Sequence, residues 1–188
     1  MENDEMNSMK LLALTLVISM IFVGTLLAED QSTPNADVGK IVRQQAMLDQ
    51  DIALELAPIK SSAELQQHMM SAGMNSPLSW LSTPARKRFI ASLRFNEKGI
   101  TSFKYEDLQA ELTASQIYQV LSLFGAQHTV AMMRNARVES PIDEQIMKPL
   151  TDPSDVLCPS QPCDYEGYEC AKKATCATNI NTICMRNC

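Results

Sequence analysis

Hydrophobic positions recur at helical spacing through most of the chain, and each stretch carries its own start and stop signals. In the first stretch the apolar residues recur mostly three or four positions apart, and Pro58 ends it. They are Val38, Ile41, Val42, Leu48, Ile52 and Leu56. This pattern predicts a helix that carries an apolar face.

Capping patterns mark the next helices. Ser61 with Glu64, and Thr113 with Gln116, have the spacing of a capping box, in which the two side chains satisfy free N–H groups at a helix start. The helices that they open are predicted to stop at glycines, Gly73 and Gly125.

Three Ser/Thr-Pro pairs, at 76–77, 83–84 and 140–141, place proline at the first position of further short helices. Ile100–Tyr105 is the only candidate for a short extended segment. We therefore predict an all-α fold, a compact bundle of about six short helices followed by a small disulfide-rich tail. The expected core residues are Trp80, Leu81, Phe89, Ile90, Leu93, Ile117, Leu121 and Phe124.

The N-terminus resembles an export signal. Lys10 precedes the apolar run Leu11–Leu27, and Ala28 supplies a small residue for cleavage. We predict a signal peptide over 1–28; an uncleaved membrane anchor is the alternative, because the run reaches the lower limit of a membrane span. Either arrangement places the rest outside the cytoplasm, as a secreted, periplasmic or outward-facing anchored protein. The predicted domains are a linker (29–36), a helical domain (37–148), a second linker (149–157) and the tail (158–188).

All six cysteines lie in that tail: Cys158, Cys163, Cys170, Cys176, Cys184 and Cys188. An even number of cysteines in an exported chain predicts disulfides, and their spacing leaves all 15 pairings open. The tail contains no closely spaced cysteine pair of the C-x2-C type that structural zinc sites use. A module with so few apolar residues needs covalent cross-links, so we expect three disulfides and no metal.

Charge narrows the choice of partners. The net charge is −6, and removing 1–28 leaves 15 basic and 19 acidic residues, or −4, which disfavours a nucleic-acid binder. A local basic stretch runs against this excess at Arg86, Lys87, Arg88 and Arg94. These four residues are our candidate contact for an acidic protein or an anionic surface. We expect the membrane to be contacted only through the N-terminal segment, if that segment stays uncleaved.

No enzyme template fits the chain, which carries no nucleophile-elbow, P-loop or zinc-protease motif, and we expect neither an enzyme nor a bound cofactor. Two histidines lie beside methionines, in the clusters His68-Met69-Met70 with Met74, and His128 with Met132-Met133. Imidazole and thioether are ligands for Cu(I), so copper handling is a minor alternative. Methionines that fill an aromatic-poor core explain the same pattern.

The leading functional hypothesis is an exported, non-enzymatic protein: a partner-binding or structural helical domain with a disulfide-stapled tail. The alternative is a precursor that releases the cysteine-rich tail, since a signal, a helical pro-region and a C-terminal cysteine cluster form the layout of many toxin and antimicrobial precursors. The segment from Glu106-Asp107-Leu108 to Leu123-Phe124-Gly125-Ala126 also resembles the leader peptides of modified bacteriocins, which are helical, acidic and end in a small pair.

Overall fold

A computed structural model describes residues 34–148 and 163–188. The chain divides into two units, Met1–Lys40 and Ile41–Cys188. The described part of the first unit is the beginning of helix α1, and everything below concerns the second unit unless stated. The predicted signal (1–28), the linker 149–157 and Cys158 lie outside the described residues. None of the described helices is long and apolar enough to cross a membrane.

Helices occupy most of the described N-terminal part. The α-helices are α1 (Pro34–Glu55), α2 (Ser62–Ala72), α3 (Thr83–Ser92), α4 (Glu106–Glu111), α5 (Ala114–Ser122) and α6 (Pro141–Ile146). Short 3-10 helices span Gly73–Asn75, Pro77–Trp80 and Gln127–Met132.

The predicted helix starts are confirmed at α2 and α5. The backbone N–H of Glu64 donates to Ser61 Oγ at 3.2 Å. At α5 the capping box is complete, because Thr113 N–H donates to the side chain of Gln116 and Thr113 Oγ1 accepts from the backbone of Gln116. These bonds satisfy donors that a helix start otherwise leaves free.

The prediction of an all-α fold is wrong, because the chain also forms a four-stranded antiparallel sheet. Its strands are β1 (Arg94–Asn96), β2 (Gly99–Lys104), β3 (Tyr165–Lys172) and β4 (Thr175–Cys184), in the spatial order β1-β2-β4-β3. The extended candidate at Ile100–Tyr105 coincides with most of β2. Both strands of the cysteine-rich tail, β3 and β4, were not predicted from the sequence.

The tail is built into the core rather than appended to it. Strand β4 pairs with β2, and Ile183 and Met185 are fully buried. Beyond the strand, Met185 N–H donates to the carbonyl of Thr101 at 2.8 Å, and Tyr105 N–H donates to the carbonyl of Asn181 at 2.9 Å. The helices therefore pack on a sheet in which two of the four strands, β3 and β4, come from the end of the chain.

Most of the predicted core is confirmed. Six of the eight residues are buried in one cluster: Leu81, Phe89, Leu93, Ile117, Leu121 and Phe124. Ile90 is partly buried against that cluster, whereas Trp80 is 43% exposed and was wrongly assigned to it. Phe89 contacts Phe103 and Phe124 edge to face, with ring centroids 6.3 and 6.1 Å apart, so β2 completes an aromatic centre that the helices alone would lack.

Gly125 sets how closely α1 lies on the rest of the second unit. A Cβ built at this glycine would lie 2.5 Å from the carbonyl oxygen of Ala53 and 2.7 Å from the Cα of Leu54. Its φ of +71° is also a conformation that favours glycine. The C-terminal half of α1 thus touches the turn after α5 backbone to backbone, and Ile59 N–H donates to the carbonyl of Leu123 at 2.9 Å.

Candidate binding surface

Helix α1 has two apolar faces, of which one packs against the core and the other is exposed. The face toward the core carries small or flexible side chains, with Leu54 buried and Ala46, Met47 and Ala53 half-buried. The opposite face carries five large aliphatic side chains that are 44–75% exposed. They are Ile41, Val42, Leu48, Ile52 and Leu56, which we call the aliphatic stripe.

The aliphatic stripe is continuous along the helix. Leu56 lies one residue past the end of α1, but its N–H donates to the carbonyl of Ile52 at 2.9 Å and keeps it on the helical path. Single exposed aliphatic side chains are common on protein surfaces, whereas a row of five along one face is not. Exposed apolar patches of several hundred Å² on monomers often mark interaction sites.

A cleft of about 980 Å³ runs along one edge of the aliphatic stripe. Its helical wall includes Leu48 and Ile52, and its other wall is formed by Lys60, the β1–β2 turn at Glu97 and Lys98, and the end of the chain at Arg186 and Asn187. The cleft therefore combines an apolar wall with a rim that carries charges of both signs.

Arg186 connects the two walls of this cleft. Its guanidinium donates to the carbonyl of Met47 at 3.0 Å and to Asp51 Oδ1 at 2.5 Å. The Arg186 side chain is 11% exposed, whereas Asp51 is 69% exposed. On the same side of the helix, Lys60 Nζ donates to the carbonyl of Glu55 at 2.5 Å. These bonds fix α1, and with it the aliphatic stripe, against the body of the unit.

Asp164 and Glu166 hold the beginning of the tail. Asp164 accepts from the backbone N–H of Arg186 at 2.7 Å and lies 2.7 Å from His128 Nε2. The Tyr105 hydroxyl donates to Glu166 at 2.7 Å; burial and this bond raise the pKa of Tyr105. Within the described residues, His128 Nδ1 and both polar side-chain atoms of Asn187 are buried without a hydrogen-bond partner.

Each histidine of the two Met/His clusters has a polar partner in the structure, Ser76 for His68 and Asp164 for His128. His68 Nε2 contacts Ser76 Oγ at 2.9 Å, while Met70 and Met74 are largely exposed. His128 and Met132 share a 3-10 helix, in which residues four apart do not stack as they do in an α-helix. Copper handling stays an untested alternative.

Disulfide bonding of the tail is confirmed for the described cysteines. Cys170 is bonded to Cys188 and Cys176 to Cys184, while Cys163 is also disulfide-bonded. Cys170 and Cys176 lie opposite each other on β3 and β4 but are not bonded to each other. The Cys176–Cys184 bond joins two residues of β4, and the Cys170–Cys188 bond joins β3 to the end of the chain. The sulfur atoms of Cys176, Cys184 and Cys188 lie within 4.8 Å of one another, so the two disulfides lie next to each other.

Two of the four residues of the predicted basic stretch, Arg88 and Arg94, form bonds within the chain. Arg88 forms a bidentate ion pair with Asp107, which raises the pKa of Arg88. Arg94 donates to the carbonyls of Ala91 and Leu93 at 3.1 Å. Lys87 is exposed and Arg86 is half-buried on α3. A contact with an anionic partner through Arg86, Lys87, Arg88 and Arg94 stays a prediction.

A second basic cluster, which was not predicted from the sequence, lies near Arg94. Lys172 and Lys173, at the tip of the β3–β4 hairpin, line a small cleft of about 240 Å³ together with Arg94. Glu97 and the Cys170–Cys188 disulfide line the same cleft. The adjacent lysines were visible in the sequence, but only the hairpin brings them to Arg94, 78 positions earlier in the chain.

Comparisons with known proteins give no family for this chain: no family model, no curated protein and no solved structure matches it. Functional inference therefore depends on the geometry alone.

Proposed function

We propose that the protein is an exported, non-enzymatic binding protein that contacts its partner through the aliphatic stripe of α1. The observation that carries this proposal is the exposure of five large aliphatic side chains along a helix whose opposite face is already packed. An amphipathic helix with an uncovered apolar face is a common recognition element. The disulfides of the tail favour an oxidising compartment and so support export.

The remainder of the unit holds the helix rigid. Gly125 allows close backbone contact, and Arg186 pins the helix from the other side. A rigid helix loses little conformational entropy on binding, so the free energy of burying the aliphatic stripe is not spent on ordering it.

The precursor alternative has less structural support. Releasing the tail would uncover Ile183 and Met185 and leave β2 without one of its partners. The small pair Gly125-Ala126, which would end the leader-like segment, lies in the core against α1, with Ala126 fully buried. A peptidase would not find the Gly125-Ala126 bond accessible in the folded domain.

Photo-crosslinking tests the proposal. A photoreactive amino acid would be placed at Val42 or Ile52 in the aliphatic stripe, and at Ile142 or Ile180 as matched controls, which are exposed aliphatic residues elsewhere. After irradiation in the producing cells, we expect covalent adducts from the positions in the aliphatic stripe and none above background from the controls. Equal adduct yields at all four positions would rule the aliphatic stripe out as the binding surface.

A further inference from the structure

We propose that the partner of the aliphatic stripe is the same stripe of a second copy of this chain, with the two α1 helices antiparallel across a two-fold axis. This inference rests on the proposed function, since it names the partner of the same surface.

The spacing of the exposed residues matches a helix–helix seam. Ile41, Gln45, Leu48 and Ile52 follow one another at intervals of four, three and four, and all are exposed. This alternation is the one by which two helices pack side chains along a common line. Val42 and Leu56 widen the aliphatic stripe on one flank.

The amount of apolar surface suits a small dimer. Five half-exposed aliphatic side chains offer on the order of 100 Å² each, or roughly 500 Å² per chain. Pairing two copies then buries roughly 1,000 Å² from these side chains alone, which is near the lower limit for a specific interface. Neighbouring polar atoms and the rim of the adjoining cleft add to this area, so we expect a reversible dimer.

The charge of Glu55 favours an antiparallel orientation of the two α1 helices. The next position of the same seam after Ile52 is Glu55, which is exposed. Parallel helices would bring the two copies of Glu55 face to face, and like charges there repel. Antiparallel helices place Ile41 of one copy against Ile52 of the other, and they carry the two glutamates to opposite ends. A two-fold interface of this kind closes on itself and yields a dimer rather than a filament.

Analytical ultracentrifugation of the exported protein over a range of concentrations tests the dimer. We expect a mass of two chains at high concentration that falls to one on dilution. Leu48→Asp, which puts a charge at the centre of the seam, should leave a monomer at every concentration, whereas Ile142→Asp, the matched exposed control, should leave the dimer intact. Unchanged far-UV circular dichroism shows that each variant is folded, as expected for exposed positions.

Cross-linking tests the orientation. Ile41→Cys and Ile52→Cys chains, treated with a short bismaleimide, should cross-link when mixed and not when each is alone. Cross-linking of Ile41→Cys alone would overturn the antiparallel arrangement. A dimer that survives Leu48→Asp would overturn the inference entirely.

The outcomes separate the inference from the proposed function. A monomer at all concentrations whose adducts at Val42 or Ile52 contain another protein overturns the second-copy inference and leaves the proposed function standing. Binding of the monomer to lipid vesicles through Leu48 would overturn the inference, because the partner would then be a membrane surface. Adducts between the aliphatic stripe and residues 1–33 of the same chain would also overturn it, because that segment would then cover the stripe. A monomer without adducts overturns both proposals.

Discussion

Ile183 lies opposite Phe103 in the ladder between β4 and β2, and both side chains are fully buried. One residue comes from the cysteine-rich tail and the other from the helical part, 80 positions earlier. The pair makes the tail a structural member of the core, and the stability of the helices therefore depends on it.

Ile183→Ala should destabilise the whole unit. Truncating a buried isoleucine removes apolar contacts and leaves a cavity, which costs about 2–5 kcal/mol. Chemical denaturation followed by the helical far-UV signal measures this change. Ile180→Ala, at a position 76% exposed on the same strand, is the control and should stay within about 0.5 kcal/mol. Equal stability of the two variants would contradict the placement of Ile183.

A chain cut after Lys148 should keep its tail. The contacts of β4 with β2, and the bond from Met185 N–H to Thr101, persist when the connection is severed. A protease site introduced after Lys148 and cleaved to completion should give two fragments that elute together in native gel filtration and separate only in denaturant. Elution of a free cysteine-rich peptide under native conditions would support the precursor alternative instead.

Loss of either disulfide should lower the melting temperature of the helices as well as that of the tail. Cross-links that close loops of this size stabilise proteins by about 2–4 kcal/mol. Paired serine substitutions at Cys170 and Cys188, and separately at Cys176 and Cys184, should each shift the single helical transition downward. A helical transition that does not move in either variant would show that the tail folds independently.

The helix ends could be predicted because local chemistry determines them. Thr113 and Gln116 form their capping box within four residues, and the glycine after α5 is needed at the turn whatever lies nearby. The strands of the tail were missed because Thr175–Cys184 has few large apolar residues, although its three threonines and two isoleucines favour extended backbone. Its pairing partner, β2, lies about 80 residues away, and sequence patterns do not specify such a pairing.

The sequence predicted the apolar residues of the candidate binding surface but not that they are exposed. The periodicity of Ile41, Leu48 and Ile52 identified an apolar helix face, but α1 has a second face of small residues around Ala53. This second face is the one that packs, and its main chain at Ala53 and Leu54 lies close to Gly125. The exposed face is therefore a result of tertiary packing that the pattern alone could not give.

Gly125→Ala should loosen α1. The new methyl group would collide with the main chain at Ala53 and Leu54, and the backbone conformation is unfavourable for alanine. We expect a loss of at least about 1 kcal/mol in the free energy of unfolding, together with faster amide exchange in α1. Gly73→Ala is the control, since it shares a positive φ but meets nothing within 4 Å. Equal effects of the two substitutions would show that backbone strain alone accounts for the loss and that α1 does not lie against Gly125.

Asp143 should make the unit sensitive to acid. Burial of its carboxylate would by itself raise the pKa of Asp143. The carboxylate accepts hydrogen bonds from the Ser140 hydroxyl at 2.7 Å, Ser115 N–H at 2.6 Å and Glu139 N–H at 3.1 Å. These bonds outweigh the effect of burial and hold the pKa of Asp143 well below its usual range. A carboxyl group with a depressed pKa contributes its stability above the unfolded-state pKa of about 4 and loses it as the pH falls through the lower folded-state value. Asp143→Asn removes the charge, so it should cost about 1–3 kcal/mol at neutral pH and reduce the further loss of stability below pH about 4. Urea denaturation across acidic pH measures both effects, with the exposed Glu144→Gln as control. An Asp143→Asn variant that loses stability in acid as steeply as the unmodified protein would show that this carboxylate does not drive the transition.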